Sequence, residues 1–244
     1  CEHSFPTRRS SDLKKQNSKI ENVNTESISK ENINKEIMIS NEAYKTLRTN
    51  IQFYKSKTEL KTLVITSSSP NEGKSTTIFN LANTFAESGR KVLIIDCDLR
   101  KPTLHKLYNI HNDKGLTNIL TSQIDISKAI NKSSFIGVDF ITGGTIPSNP
   151  SELLNSKSME FYLNKFREDY DYIILDTPPI CIVTDAQILA GKCDGTLLVV
   201  ASGQADKKKI LFAKSLLDKV GANILGCILT KVKVQKAGYD HYYN

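Results

Sequence analysis

The stretch "TSSSPNEGKSTT", residues 66 to 77, sets hydroxyl residues, a glycine and a lysine in the order that phosphate chemistry uses. It matches the phosphate-loop pattern G-x-x-x-x-G-K-[ST], except that Ser68 stands where the first glycine is expected. An apolar, strand-like run precedes it and a helical stretch follows. In that setting, backbone N–H groups and the positive end of a helix dipole point at a phosphate chain. Lys74 then reaches the terminal phosphates and the Ser75 hydroxyl ligates Mg²⁺, while Ser69, Pro70, Asn71, Glu72, Gly73 and Thr76 complete the candidate nucleotide loop.

Two further apolar runs release carboxylates where they end. "VLIIDCDLRKP" carries Asp96 and Asp98, which share one side if the chain stays extended. "YIILDTPP" carries Asp176, in the position of a Walker B aspartate that holds a metal's water shell. A single strand-end carboxylate is commonly a loop cap. Three of them behind a phosphate loop point to an Mg-nucleotide site, placed where open α/β sheets bind ligands.

These residues need strands to hold them. Short, nearly continuous, β-branched runs fall at 62–68, 91–98, 171–179, 195–202 and 223–231, with a weaker one at 135–144. Strands buried on both faces of a parallel sheet read this way. Helical stretches alternate with them, from Ser75 to Ser88, Met159 to Arg167 and Lys207 to Val220, with Gly89 and Gly221 closing the first and last. The alternation predicts one doubly wound, mostly parallel α/β domain over about 41–235. Ahead of the first strand, Tyr44, Leu47, Ile51 and Tyr54 recur at helical spacing, and Glu42, Lys45 and Arg48 form a separate charged stripe. Such a stripe is ordinarily a solvated face.

The flanks are different. "HSFPTRRSSDL", residues 3 to 13, resembles the in-frame translation of a sequencing adapter, so 1–13 are set aside as an assembly scar. Residues 14–40 are polar, lack periodicity and read as a flexible tail, and 236–244 form a tyrosine-rich C-terminal tail, "KAGYDHYYN". The formal net charge of +7 suits an anionic partner without choosing one. Lys and Arg are dispersed and the aromatics do not interleave with them, which argues against nucleic acid. Five cysteines without a CxxC pair read as free thiols in a reducing compartment. No apolar run approaches the ~18 to 20 residues of a membrane span.

Taken with "EAYKTLRTNIQF", "GLTNIL" at 115–120 and "IPSNPSELL" at 146–154, the three site motifs resemble the bacterial tyrosine kinases of capsule and exopolysaccharide synthesis, of the separate cytoplasmic type. The resemblance runs from about Asn41 to the end. Its most discriminating part is "DCDLRKP", the Walker A′ motif. It implies the deviant Walker A group of P-loop NTPase folds, the MinD/ParA-like group, with ATP and Mg²⁺ as cofactors. It makes Lys74, Asp96 and Asp98 catalytic, with Asp96 as the base for an incoming tyrosine hydroxyl and Asp98 assisting. Ser75, Asp96 and Asp176 would hold Mg²⁺, partly through water.

By the same resemblance, Glu42, Lys45 and Arg48 occupy an E-x-x-R-x-x-R oligomerisation motif, with Lys45 where Arg is expected and its bidentate grip lost. Tyr239, Tyr242 and Tyr243 would be autophosphorylated in trans within a homo-oligomer such as a ring. Other protein tyrosines would be further substrates. A membrane adaptor of the polysaccharide chain-length-determinant type would recruit the cytoplasmic chain to the inner face of the plasma membrane. Ala201 and Thr230 depart from the residues expected to contact the base. Two rivals remain: a MinD- or ParA-type positioning ATPase, which needs an early loop lysine where Ser69 stands, and a nucleotide-binding regulatory subunit of an export complex.

Overall fold

The computed structural model describes residues 38, 40–54, 59–107, 110–133 and 136–232. The proposed adapter scar, nearly all of the polar tail and the tyrosine-rich tail lie outside the described residues. Two units divide the chain, Cys1–Ala43 and Tyr44–Asn244. In the first, residues 38 and 40–43 are helical. The second opens with helical residues 44–52, labelled α1, and carries everything that follows.

Seven strands make one sheet: β1 (Thr62–Ser67), β2 (Val92–Asp96), β3 (Ile130–Lys132), β4 (Val138–Ile141), β5 (Tyr172–Asp176), β6 (Gly195–Ala201) and β7 (Ile224–Thr230). Their order is β3-β4-β2-β5-β1-β6-β7, parallel throughout except for the antiparallel β3 at one edge. The helices are α2 (Lys74–Glu87), α3 (Leu104–Leu107), α4 (Leu116–Leu120), α5 (Pro150–Asn155), α6 (Lys157–Asp169), α7 (Asp185–Ala190) and α8 (Lys207–Lys219). This is the doubly wound, mostly parallel α/β sheet expected from the alternation.

The apolar runs are continuous because both faces of the sheet are covered. Leu63, Ile65, Ile94 and Ile174 pack toward Ile51 of α1 and Leu81 and Phe85 of α2. Their neighbours Val64, Leu93, Ile95 and Leu175 pack on the other face with Leu163 and Phe166 of α6. Each such side chain, withdrawn from water, contributes roughly 1.5–3 kcal/mol. The chain runs from β1 outward to β2 and β4, returns through β5, and crosses to β6 on the far side of β1. The β5–β1 region is therefore the topological switch, and a crevice opens at its C-terminal ends.

β3 was not expected. Its three half-buried or exposed residues, "INK", at the sheet edge carry no apolar signature. The charged stripe on α1 also needs correcting. Lys45 is exposed, but Arg48 is turned inward, half-buried, with Nη1 donating to the Thr84 carbonyl on α2 at 2.7 Å. Nη1 of Arg48 is thus committed within the fold, while the residue keeps part of its surface exposed.

Candidate active site

β1 ends at Ser67 and α2 begins at Lys74, so the intervening loop must reverse and present its amides within a few residues. Gly73 makes this possible at φ 93°, a conformation that disfavours side chains, and it is also pressed by Thr230, which would stand 3.3 Å from a Cβ there. Gly73 is the N-cap of α2, and no side chain caps the helix. The first-turn N–H groups of this 14-residue helix are thus left for an anion.

The loop is braced where the glycine of the pattern is missing. Glu72 is buried, its Oε1 accepting from Ser68 Oγ at 2.8 Å and its Oε2 from the Ser68 amide at 3.0 Å. From the last strand, Thr230 Oγ1 donates to the Glu72 carbonyl at 2.6 Å, and just beyond it Lys231 Nζ donates to the Asn71 carbonyl at 2.7 Å. Thr230 therefore commits its hydroxyl to the loop and does not stand ready to read a base. Sequence reading missed both braces, because their partners lie 158 and 160 residues apart.

A cleft of about 600 Å³ lies over the loop. Of the predicted nucleotide residues, Pro70, Asn71, Gly73, Lys74, Ser75, Thr76 and Asp176 line it, whereas Ser69 and Glu72 do not. Glu72 contributes as a strut, not as a ligand.

The carboxylates divide in a way that corrects the sequence reading. β2 ends at Asp96, so the extended geometry that would set Asp96 and Asp98 side by side stops there. Asp96 is fully buried behind the cleft wall. Its Oδ2 accepts from the amides of Thr103 (2.8 Å) and Leu104 (2.9 Å), and its Oδ1 from the Asp98 amide (3.2 Å). Asp98 is half-buried and lines the cleft, with Oδ1 accepting from the Lys101 amide at 3.0 Å. Of the two, only Asp98 lines the cleft, while Asp96 holds the amides of the loop that carries it.

Asp96 and Asp176 are register partners on adjacent strands. Burial pushes both carboxyls up, Asp96 to about 6 and Asp176 to about 8, and at Asp176 the neighbouring Asp96 and Asp98 add to this against Lys74 and the Ser75 hydroxyl. Crowded carboxylates that resist ionising beside a serine hydroxyl are a fitting donor set for a small hard cation. Among the described residues no three acidic, His or Cys side chains converge on one metal position. Mg²⁺ takes one or two carboxylates and completes its shell with water and phosphate, a set that Asp176 and the neighbouring Ser75 hydroxyl fit.

A clamp unforeseen in the sequence fixes the two loops. Arg100, two residues after Asp98, forks onto the buried Asp185 at the start of α7, Nε to Oδ2 at 2.9 Å and Nη2 to Oδ1 at 3.2 Å. Ser151 on α5 closes the triangle, its Oγ accepting from Arg100 Nη2 at 2.9 Å and donating to Asp185 Oδ1 at 2.7 Å. The loops after β2 and β5, which flank the cleft, are tied to each other through this ion pair.

A strand, an amide-lined loop, an uncapped helix and strand-end carboxylates define a P-loop nucleotide-binding domain, and residues 60–204 match the AAA domain family. The likeness is narrower than that. The tyrosine-protein kinase YwqD of Bacillus subtilis is 43% identical over 84% of this chain and 86% of its own. The chimerical protein CapA2B2 (36% identity, TM-score 0.74, covering 77% of this chain and 83% of its own) and the kinase domain of the Escherichia coli tyrosine kinase ETK (34%, 0.74, 80% and 78%) share the structure. The chain belongs to the bacterial tyrosine-protein kinases and is an enzyme of that class. Among the described residues, no helix is long and apolar enough to cross a membrane.

Proposed function

We propose that this chain transfers the γ-phosphoryl group of ATP, with Mg²⁺, to Tyr239, Tyr242 and Tyr243 of a neighbouring copy, and thereby regulates capsule or exopolysaccharide synthesis and export. The observation that carries this reading is one cleft lined by Lys74, Ser75, Asp98 and Asp176. Mg²⁺ would be held by Ser75 and Asp176 and would supply charge neutralisation on the phosphates. Lys74 would hold the terminal phosphates in line, and α2's amides would bind the chain of phosphates. As the tyrosine oxygen bonds to phosphorus, the bond from phosphorus to the β–γ bridging oxygen breaks, ADP leaves, and the hydroxyl proton passes to Asp98. A weak base suffices, because alignment and charge neutralisation carry most of the rate in phosphoryl transfer.

Oligomerisation through Glu42, Lys45 and Arg48, and recruitment to the inner membrane face by an adaptor, belong to this reading by family likeness. The chimerical nature of CapA2B2, whose name couples a second component to the kinase-like part, supports a partner. So does the name of a Klebsiella pneumoniae relative, a putative tyrosine-protein kinase in a cps region. Incubation of the full chain with Mg-ATP, with and without the cytoplasmic segment of a candidate adaptor, tests it. Phosphate is expected on the three tyrosines, lost in Lys74→Met and strongly reduced in Asp98→Asn. ATP hydrolysis with no phosphotyrosine under any condition would overturn it in favour of a positioning ATPase.

A further inference from the structure

We propose that the side of the cleft between the loops after β2 and β5 is an acceptor subsite, built for a tyrosine followed by an acidic residue, and that Tyr239–Asp240 of a second copy is its preferred occupant. The inference rests on the kinase reading above and adds to it which acceptor the site selects.

Strand order divides the cleft into two ends. The phosphate loop follows β1, and its brace from the end of β7, Lys231, lies to one side. Asp98 and Asp176, which a terminal phosphate must face, lie to the other, at the ends of β2 and β5. The nucleoside therefore trails toward β6 and β7, and the attacking hydroxyl enters over β2 and β5.

On that side the lining changes character. The β5 loop presents Pro179, Ile182 and Val183 to the cleft, and Ile182, 60% exposed, shares that lining with Asp98 and Asp176. The wall is rigid. The Thr66 hydroxyl donates to the Pro178 carbonyl at 3.0 Å, the Thr177 hydroxyl to that of Ile65 at 2.9 Å, and the Ile182 amide to the Pro179 carbonyl at 3.0 Å. A preformed apolar wall next to a hydroxyl acceptor fits an aromatic ring with a polar tip.

The facing loop adds a charge. Lys101 lines the cleft at its exposed rim, and its amide is bonded to the Asp98 carboxylate, which fixes the root of its side chain beside the attack position. No described residue takes its ammonium group in an ion pair, whereas Arg100 next to it is committed to Asp185. A cation there selects a carboxylate close to the acceptor ring. In "GYDHYYN" only Tyr239 has an acidic residue beside it, and residues 237–244 contain no Lys or Arg to oppose Lys101.

The test has two arms. A fluorescent peptide of residues 236–244 is titrated with the full chain in the presence of Mg²⁺ and a non-hydrolysable ATP analogue. Ile182→Ala is expected to weaken binding about tenfold. Lys101→Glu, or Asp240→Lys in the peptide, should each weaken it about three- to fivefold, and the two combined should restore it. In the second arm a size-tagged Lys74→Met copy serves as acceptor, with labelled sites mapped over time. Tyr239 should be labelled first, and the preference should vanish with Asp240→Lys. Affinities indifferent to all three substitutions, or Tyr242 and Tyr243 labelled as fast as Tyr239, would overturn the proposal. Charge-dependent binding without any phosphotyrosine would uphold the subsite and sink the kinase reading.

Discussion

Glu72 grips Ser68 with both carboxylate oxygens, at 2.8 Å to the hydroxyl and 3.0 Å to the amide, inside a loop where the common pattern has glycine. The serine in place of glycine is thus a component of the loop's support. Removing the carboxylate leaves a buried hydroxyl and a buried N–H unmet, at about 1–3 kcal/mol. Glu72→Ala is expected to lower Mg-ATP affinity about tenfold, measured by calorimetry, with Glu72→Gln intermediate.

Thr230 makes a second support from the far end of the sheet. Thr230→Val keeps the shape against Gly73 but removes the donor to the Glu72 carbonyl, which costs about 1 kcal/mol. The KM for ATP should rise about fivefold with kcat little changed. Thr230→Ser should behave as the parent, which separates the hydroxyl's contribution from that of bulk.

The Arg100–Asp185 fork predicts an asymmetric pair of variants. Arg100→Ala strands a carboxylate with no exposed surface and should destabilise the fold by about 3 kcal/mol, at the low end for a buried pair because the arginine itself is 40% exposed. Arg100→Lys cannot fork and recovers only part. Asp185→Asn, which buries no charge, should cost less than Arg100→Ala. Thermal denaturation of the three variants distinguishes these outcomes.

Asp96 and Asp176 set a pH dependence. Their native carboxyls are pushed up to about 6 and about 8, so between roughly pH 4 and 8 the folded state keeps protons that the unfolded chain has released. This stability is fully present below the unfolded carboxylate value and is lost as pH rises through the window. With EDTA present, the melting temperature should fall from pH 5 to 8. The slope should flatten in Asp176→Asn, which should lose phosphotransfer as well. Mg-nucleotide binding must expel those protons, so it should tighten with rising pH over the same range.

The sheet was legible because strands covered on both faces leave continuous β-branched runs, as in "TLVITS" and "GTLLVVA". The phosphate loop was legible because its spacing is local. What escaped was set by distance or by chain direction. Asp98 reaches the cleft and Asp96 does not because β2 stops at Asp96 and the chain turns, a boundary that "DCD" does not mark. Arg100 and Asp185 are separated by 85 residues, and no local pattern announces that pair. Arg48 looked like part of a solvated stripe until α2 supplied the Thr84 carbonyl.

The brace from Thr230 to Glu72 joins the last strand to the loop after the first, across 158 positions. During synthesis, the phosphate loop leaves the ribosome long before the residue that holds it is made. Contacts of such separation form late, after the intervening chain has closed around them. A nascent or truncated chain lacking β7 would therefore carry the nucleotide motif without the braces from Thr230 and Lys231, and the loop would reach its finished shape only with the final strand.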